Sequence, residues 1–461
     1  MVFTSNLFLF VFLPIFLATY YLIPFQARSA LILIFSYIFY GWWRPDFAML
    51  LGAVTVGTYI LTLVMESDRW QSQRFKVLSV GVVLNLCALG YFKYFNFGVD
   101  SLNAVLVFAG LSPFEYARVI LPIGLSFFIF QSISYMVDVY RGDAPKTENL
   151  FDFAAFISFF PQLVAGPVLR YQPLADQFRH REHSWKIFSQ GCLIFMAGFC
   201  GKVLIADPMA PMVDAAFSIH TPSLADAWIG ITAYTIQLFF DFSGYSTMAI
   251  GLGMMVGFIF PINFDDPYTS ASITEFWRRW HMSLSTWLRV YLYVPLGGNR
   301  LGRGRTYINL TLTMVLGGLW HGANWTFLVW GAWHGGLLAL ERFWRERHPN
   351  PSLPRPIAVA WTLLMVMIGW VFFRAADLGA AFRMLAGMAG MSGWNLSPDL
   401  AWQIPPERLW VMLFGGVLVF VLPWLRRKTE GRLRIILIPL FLWAVATLSS
   451  QAFTPFLYFQ F

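Results

Sequence analysis

The chain has 461 residues and a formal net charge of +8; 58% of it is hydrophobic, 18% aromatic and only 12% charged. Soluble globular proteins carry about 25% charged residues, and the mean hydropathy here is +0.60. These figures exclude a disordered chain, a disulfide-stapled secreted domain and an ordinary soluble enzyme, and they predict an all-α, polytopic transmembrane protein. A membrane β-barrel would alternate apolar and polar residues, whereas this chain runs apolar for long stretches, as over Leu7–Ile23.

In chain order, three apolar spans fit before residue 66, at roughly 7–23, 29–43 and 46–65, with Pro14 tolerated inside the first. Met1–Asn6 carries no Lys or Arg, so the opening run reads as a span and not as a cleavable signal. The polar loop Glu66–Lys76 holds Arg69, Arg74 and Lys76 and is expected on the cytoplasmic side, which places the N-terminus outside. Spans are expected at roughly 77–97 and 118–139, followed by Arg141 and Lys146. The stretch 150–168 is apolar but broken by Pro161, Gly166 and Pro167. It leads into a cluster of Arg170, Arg179, Arg181 and Lys186, which suggests a re-entrant hairpin. A span at roughly 187–206, a loop Asp207–Asp226 without Lys or Arg, and a return at roughly 227–258 follow.

Residues 270–306 differ from the rest. Ser272 and Glu275 have capping-box spacing, and Trp277, Trp280, Leu284, Trp287, Leu288 and Tyr291 then recur on one helical face. This pattern predicts one amphipathic helix at the interface, ended by Gly297–Gly298. The apolar run 307–340 is interrupted by His321-Gly322-Ala323-Asn324, and a loop with Arg342, Arg345, Arg347 and Arg355 follows. Last spans fit at roughly 357–375, 407–425 and 434–452, with Arg426, Arg427, Lys428, Arg432 and Arg434 between the final two. The expected total is about 10–12 spanning helices plus re-entrant and amphipathic ones, in a single membrane-embedded domain over residues 1–461.

The three cysteines, Cys87, Cys192 and Cys200, sit in apolar stretches and suit buried hydrophobes better than a disulfide or a metal site. The basic residues fall in short loops between spans, so the positive charge fits the positive-inside rule and membrane lipid, with no nucleic acid as partner. Of the seven histidines, His180, His183, His220 and His348 lie in polar loops, while His281, His321 and His334 lie among apolar or aromatic residues. An ionisable group at membrane depth is a candidate for function.

His321 is flanked by Gly317, Gly318 and Gly322, which let a ligand or another helix approach closely. Its imidazole can take a proton from a hydroxyl and return it. The alternative is that these glycines serve helix packing alone. His281 lies 40 positions earlier (321 − 281), beside Arg278 and Arg279. Two arginines suit a phosphate-bearing ligand such as coenzyme A, or attraction to anionic lipid. Lys93 and Lys202 also lie in or beside apolar runs, and snorkelling accounts for them if they stand near helix ends. Asp241 is deeper, and suits a structural ion pair or the orientation of a catalytic histidine. No phosphate loop, nucleophile elbow or metal pair is present, so no metal and no tightly bound cofactor are expected.

At several of these stretches the sequence resembles the membrane-bound O-acyltransferases of the alginate O-acetyltransferase type. The stretches are Met1–Asn6, Leu121–Phe128, Phe160–Pro167, Asp241–Ser246, Phe276–His281 running on to Pro295–Arg300, Gly318–Trp325 and Pro455–Phe459. Two positions depart from that type as we expect it: Thr247 and Val290 stand where acidic residues are expected. The resemblance implies that His321 is the essential histidine and His281 the second catalytic position, with a helical ring around a central tunnel. Arg278, Arg279, Trp277 and Asn324 form the expected donor-binding set, and His281 or Asn324 the expected oxyanion donor.

The implied activity is transfer of an acetyl group from cytoplasmic acetyl-CoA, as donor substrate, across the bacterial inner membrane for O-acetylation of an alginate-like exopolysaccharide. A periplasmic partner protein would accept the acetyl group or present the polysaccharide. The alternatives are acetylation of cellulose or peptidoglycan, D-alanyl transfer, or, in a different class, a transporter or flippase. Against the last, no internal repeat is visible.

Overall fold

A computed structural model describes residues 1–164, 166–348, 353–428 and 433–450. Ala165, Arg432 and the closing motif 455–459 lie outside the described residues. Every regular element among the described residues is helical, as expected of a chain in which backbone groups at membrane depth must be satisfied internally. Among the described residues five helices are long and apolar enough to cross a membrane: Pro45–Met65, Asp68–Phe108, Trp185–Ser218, Arg355–Arg374 and Pro406–Trp424. Phe8–Leu22, Phe25–Gly41, Leu378–Met388 and Ile435–Ser449 are shorter and apolar. The protein is an all-α, multi-pass membrane protein.

The chain forms two compact units, Met1–Cys192 with Ala249–Pro261, and Leu193–Met248 with Ile262–Phe461. In the first unit we label Phe8–Leu22 α1, Arg28–Gly41 α2, Pro45–Met65 α3, Asp68–Phe108 α4 and Leu125–Arg141 α5. The first three match the expected spans to within a few residues. α4 runs farther than expected, and its segment Gly90–Tyr94 is π-helical. Lys93 lies in that segment. It does not snorkel: it is buried, and its Nζ lies 3.4 Å from Ser126 Oγ on α5.

The expected re-entrant stretch is two short helices, Leu150–Ser158 and Phe160–Leu163, buried from Phe153 to Val164. The Phe160 ring meets Phe12 and Phe16 edge-on at 5.3 and 5.1 Å, and Ser36 Oγ accepts from the Phe160 N–H at 3.1 Å. The irregular backbone is thus surrounded by protein, the condition under which it is tolerated.

In the second unit, Trp185–Ser218 (α6) and Leu224–Met255 (α7) supply the residues Leu193–Met248. The loop expected from Asp207 is instead helical to Ser218: it follows the π-helical turn Gly201–Ala206, with Pro208 in the first turn after it and Pro211 inside the helix. α6 and α7 touch at Gly198 and Gly244. A Cβ on Gly244 would lie 2.7 Å from the Gly198 carbonyl oxygen. One turn on, Lys202 Nζ sits 2.5 Å from Asp207 Oδ1 and 2.6 Å from Asp241 Oδ1. Lys202 therefore does not snorkel, and the structure gives Asp241 the ion-pair role.

The expected single amphipathic helix is broken. It forms Ile273–Arg279 (α8) and Met282–Leu288 (α9), separated at Trp280 and His281. Much of its aromatic face packs against protein. Trp280 packs 5.0 Å from Phe264 and 5.0 Å from Trp370, and Leu284, Trp287 and Leu288 are buried. Arg303–His321 (α10) and Trp325–Arg347 (α11) form a hairpin, and Arg355–Arg374 (α12) packs against α11. Arg342, Arg345 and Arg347, expected in a loop, extend α11. Leu378–Met388 is a helix that hydropathy at span length does not reveal.

Candidate active site

The break between α8 and α9 is built from a distance. Asn263 Oδ1 accepts from the Ser283 N–H at 3.2 Å and from Ser283 Oγ at 2.8 Å, and the Asn263 carbonyl accepts from the Met282 N–H at 2.9 Å. These bonds hold His281 in the left-handed region at φ 44° and ψ 54°, one of two non-glycine residues there among the described residues. Such a conformation is costly for a side chain with a Cβ and persists where surrounding contacts over-determine it. The result is a fully buried imidazole, 0% exposed, that meets Phe242 edge-on at 4.7 Å.

The same amide orients the ring. His281 Nδ1 lies 3.2 Å from Asn263 Oδ1. Because that oxygen already accepts from a backbone N–H, it is the carbonyl end of the amide and can only accept. Nδ1 therefore carries the hydrogen, and the neutral ring leaves a lone pair on Nε2. Nε2 is buried and has no hydrogen-bond partner.

His321 ends α10 and is 5% exposed. Its ring centroid is 6.4 Å from that of His281, so the structure brings the two sequence-predicted histidines together. It also lies 5.2 Å from Trp330 and 5.1 Å from Phe373. The glycines around it serve packing. A Cβ on Gly318 would collide with the Phe327 carbonyl oxygen, and one on Gly322 with the Phe327 ring. They let α10 and α11 close on each other, leaving the imidazole walled by rings.

The sequence reading left His334 without a role. It is 0% exposed, both its ring nitrogens are buried without hydrogen-bond partners, and it is 5.1 Å from Trp330 and 5.2 Å from Trp277. The signal was present: Trp330 and His334 are four apart and share one face of α11. Trp277 and Trp330 each carry a buried indole N–H without a partner. Buried polar groups are usually bonded, so this concentration of lone pairs and donors, from His281 through Trp330 to His334, describes a place for polar ligand atoms.

The remaining expected residues are placed less uniformly. Arg279 is engaged, with Nη2 2.9 Å from Glu275 Oε1, and Glu275 also accepts from the Ala271 N–H at 2.8 Å. Ser272 Oγ accepts from the Glu275 N–H, as the capping spacing predicted. Arg278 is exposed and forms no ion pair among the described residues. Asn324 is a helix cap: its Oδ1 accepts from the Thr326 N–H at 3.1 Å and its Nδ2 donates to the Ala376 carbonyl at 2.9 Å. The Asn324 amide is thus engaged, whereas the Trp330 indole N–H, on a ring 5.2 Å from His321, is buried without a hydrogen-bond partner among the described residues. His281, with its Nε2 lone pair, is placed to accept.

This geometry can be set beside known proteins. Residues 139–376 match the family model for membrane-bound O-acyltransferases. The chain belongs to the membrane-bound O-acyltransferase family. It is 50% identical to the "Probable alginate O-acetylase AlgI" of Azotobacter vinelandii over 100% of both chains. It is 36% identical to a peptidoglycan O-acetyltransferase of Helicobacter pylori, over 86% of this chain and 81% of that one. A teichoic acid D-alanyltransferase of Streptococcus thermophilus is 28% identical over 49% of this chain and 58% of the other. The protein is an acyltransferase, which sets aside the transporter reading.

Proposed function

We propose that this acyltransferase O-acetylates an alginate-like exopolysaccharide at the bacterial inner membrane, taking the acetyl group from cytoplasmic acetyl-CoA and working with a periplasmic partner that accepts it or presents the polysaccharide. Full-length similarity to alginate O-acetylases supports the acetyl group and the polymer class. The observation that carries the mechanism is the apposition of His281 and His321 at 6.4 Å in a buried, ring-walled site.

In this reading His321 takes the proton of the acceptor hydroxyl. The alkoxide oxygen attacks the thioester carbonyl, and the negative charge moves to the carbonyl oxygen, where the Trp330 indole N–H meets it. Removing a donor of that kind lowers the rate by about 10²–10³. The tetrahedral intermediate collapses, the carbon–sulfur bond breaks, and the thiolate takes the proton from His321. His281 offers the Nε2 lone pair to a substrate O–H or N–H and so orients it. Arg278, exposed at the end of α8, is free to meet a donor phosphate.

The test is acetyl transfer from acetyl-CoA by the protein in nanodiscs, read as free thiol and acetylated polymer. His321→Ala is expected to abolish both with the melting temperature kept. Full transfer by that variant would overturn the mechanism. Transfer to peptidoglycan but not to alginate would overturn the substrate.

A further inference from the structure

The first unit carries two arginines that form no ion pair within contact distance among the described residues, although the charge of Asp152 is felt at Arg181. Arg28 opens α2, and Arg181 lies in the segment before α6. Both stack on the Phe25 ring, at 5.8 and 5.0 Å, and Arg28 also covers Tyr20 at 4.7 Å while Arg181 covers Phe258 at 4.4 Å. Among the described residues neither forms an ion pair. The Nε of Arg28 and the Nε and Nη2 of Arg181 are buried without hydrogen-bond partners. Arg181 Nη1 donates to the carbonyls of Gln177 at 3.1 Å and Phe178 at 3.5 Å.

The third group of the cluster adds no negative charge. His183 Nε2 is 3.0 Å from Arg28 Nη1 and 3.0 Å from the Tyr20 hydroxyl. Burial, then the charges of Arg28 and Arg181, hold its imidazole below the ordinary value, so near neutral pH it stays uncharged. The cluster therefore keeps two positive charges, partly removed from water, with α2 pointing its positive N-terminal end the same way. Half-buried cations lacking an anion are unfavourable, and two planar guanidiniums with free N–H groups match the oxygens of a phosphate ester.

The surroundings say where such a phosphate comes from. Leu22, at the end of α1, is 85% exposed, and Trp185 beside the cluster is 80% exposed and stacks on Phe188 at 5.5 Å. Aromatic and apolar side chains exposed beside cations are the composition of the headgroup level of a bilayer. Residues 24–28 and 170–186 both fall on the side that the positive-inside rule assigns to the cytoplasm, where anionic lipids concentrate. We propose that Arg28 and Arg181 form a binding site for the phosphate group of an anionic phospholipid of the cytoplasmic leaflet, separate from the histidine site.

The test uses the full chain, delipidated in neutral detergent and titrated with mixed micelles of phosphatidylglycerol or phosphatidylcholine, or with adenosine 3′,5′-bisphosphate as a soluble phosphate ester. Thermal midpoints and native mass spectra of retained lipid are the readouts. Phosphatidylglycerol is expected to raise the midpoint saturably and to stay bound, and phosphatidylcholine to do neither. Arg28→Gln with Arg181→Gln should weaken that affinity roughly ten-fold or more, given what hydrogen bonds to charged groups contribute. Arg28→Lys with Arg181→Lys, which keeps the charge, should retain part of it even if the glutamine pair folds poorly. Arg69→Gln, an exposed cation on the same side, should change nothing. Equal phosphatidylglycerol binding by wild type and the glutamine pair would overturn the site. Stabilisation by the bisphosphate in place of the lipid would overturn the lipid as its source.

Discussion

Asn263 is the residue on which the His281 reading turns. Its Oδ1 accepts three hydrogen bonds, from His281 Nδ1 at 3.2 Å, the Ser283 N–H at 3.2 Å and Ser283 Oγ at 2.8 Å. Asn263→Ala removes all three acceptor contacts. The hydroxyl can rotate elsewhere, but the imidazole and backbone donors are left buried. At about 1–3 kcal/mol for each orphaned group, the loss is roughly 2–6 kcal/mol of stability. Asn263→Asp keeps an acceptor for every donor, so its melting temperature should stay far closer to wild type. Its charge, however, favours a proton on both nitrogens of His281 and removes the Nε2 lone pair. If that lone pair holds a substrate donor, losing one bond of about 0.5–1.5 kcal/mol raises KM by roughly 2- to 12-fold. Ser283→Ala drops one of the three bonds without touching the ring, and should lower the melting temperature and leave KM alone. The assay is thiol release from acetyl-CoA against acceptor concentration, with thermal melting in parallel. An Asn263→Asp protein that melts like wild type and shows an unchanged KM would refute the role assigned to His281.

Lys202→Met should destabilise by about 3–5 kcal/mol, because Asp207 and Asp241 would remain buried without their cation; adding Asp207→Asn and Asp241→Asn to it should recover much of the loss in thermal melting. Gly331→Ala puts a methyl into the Met314 carbonyl and within 2.7 Å of Val315 Cα, an overpacking worth about 1–3 kcal/mol, whereas Gly336→Ala meets nothing within 4 Å and should be neutral or slightly stabilising. Equal melting of the two glycine variants would show that the α10–α11 contact is looser than described. Arg278→Gln should raise KM for acetyl-CoA with melting unchanged, while Arg279→Gln should lower the melting temperature through loss of its Glu275 partner; the reverse pattern would exchange their roles.

The spans were legible because length and hydropathy are local properties. α1, α2 and α3 begin and end near the expected positions, where Pro24, Pro45 and the polar stretch from Glu66 mark the turns. The two histidines were legible as a pair because each sits in an unusual motif within an apolar background. The break at His281 was not legible. Trp277, Trp280, Leu284 and Leu288 keep helical spacing straight across it, and what breaks the helix is Asn263, about twenty residues earlier, bonding to Met282 and Ser283. The helix after Asp207 was hidden for a related reason. Asp207-Pro208 reads as a breaker, yet Asp207 is drawn to Lys202 across a π-helical turn and the helix continues through the proline. Snorkelling was a reasonable expectation for Lys93 and Lys202 from position alone. Whether a lysine goes outward or inward depends on the partner it meets: Ser126 and Asp241 are supplied by tertiary packing, and Asp207 by the π-helical turn of the same helix.

The Lys202 cluster and the histidine site are linked by two adjacent residues of α7. Asp241 is held by Lys202, and the next residue, Phe242, presents its ring edge-on to His281 at 4.7 Å and to Phe264 at 4.9 Å. α6 and α7 meet through glycines at 198 and 244, with the Met248 and Lys202 side chains of the facing helix close to the space a Cβ there would take. A buried ion cluster is weak evidence for stability, because apolar packing of the same volume often does as well. What it adds is position: a shift by one helical turn, about 5.4 Å, would separate Lys202 from Asp241 and leave charges buried alone. The ion pair therefore adds to the packing that fixes the register of the two helices, and that register sets where Phe242 stands against the imidazole. With Phe242 on one side and Asn263 on the other, His281 is held in a backbone conformation it would not otherwise keep, with its lone pair turned into the site.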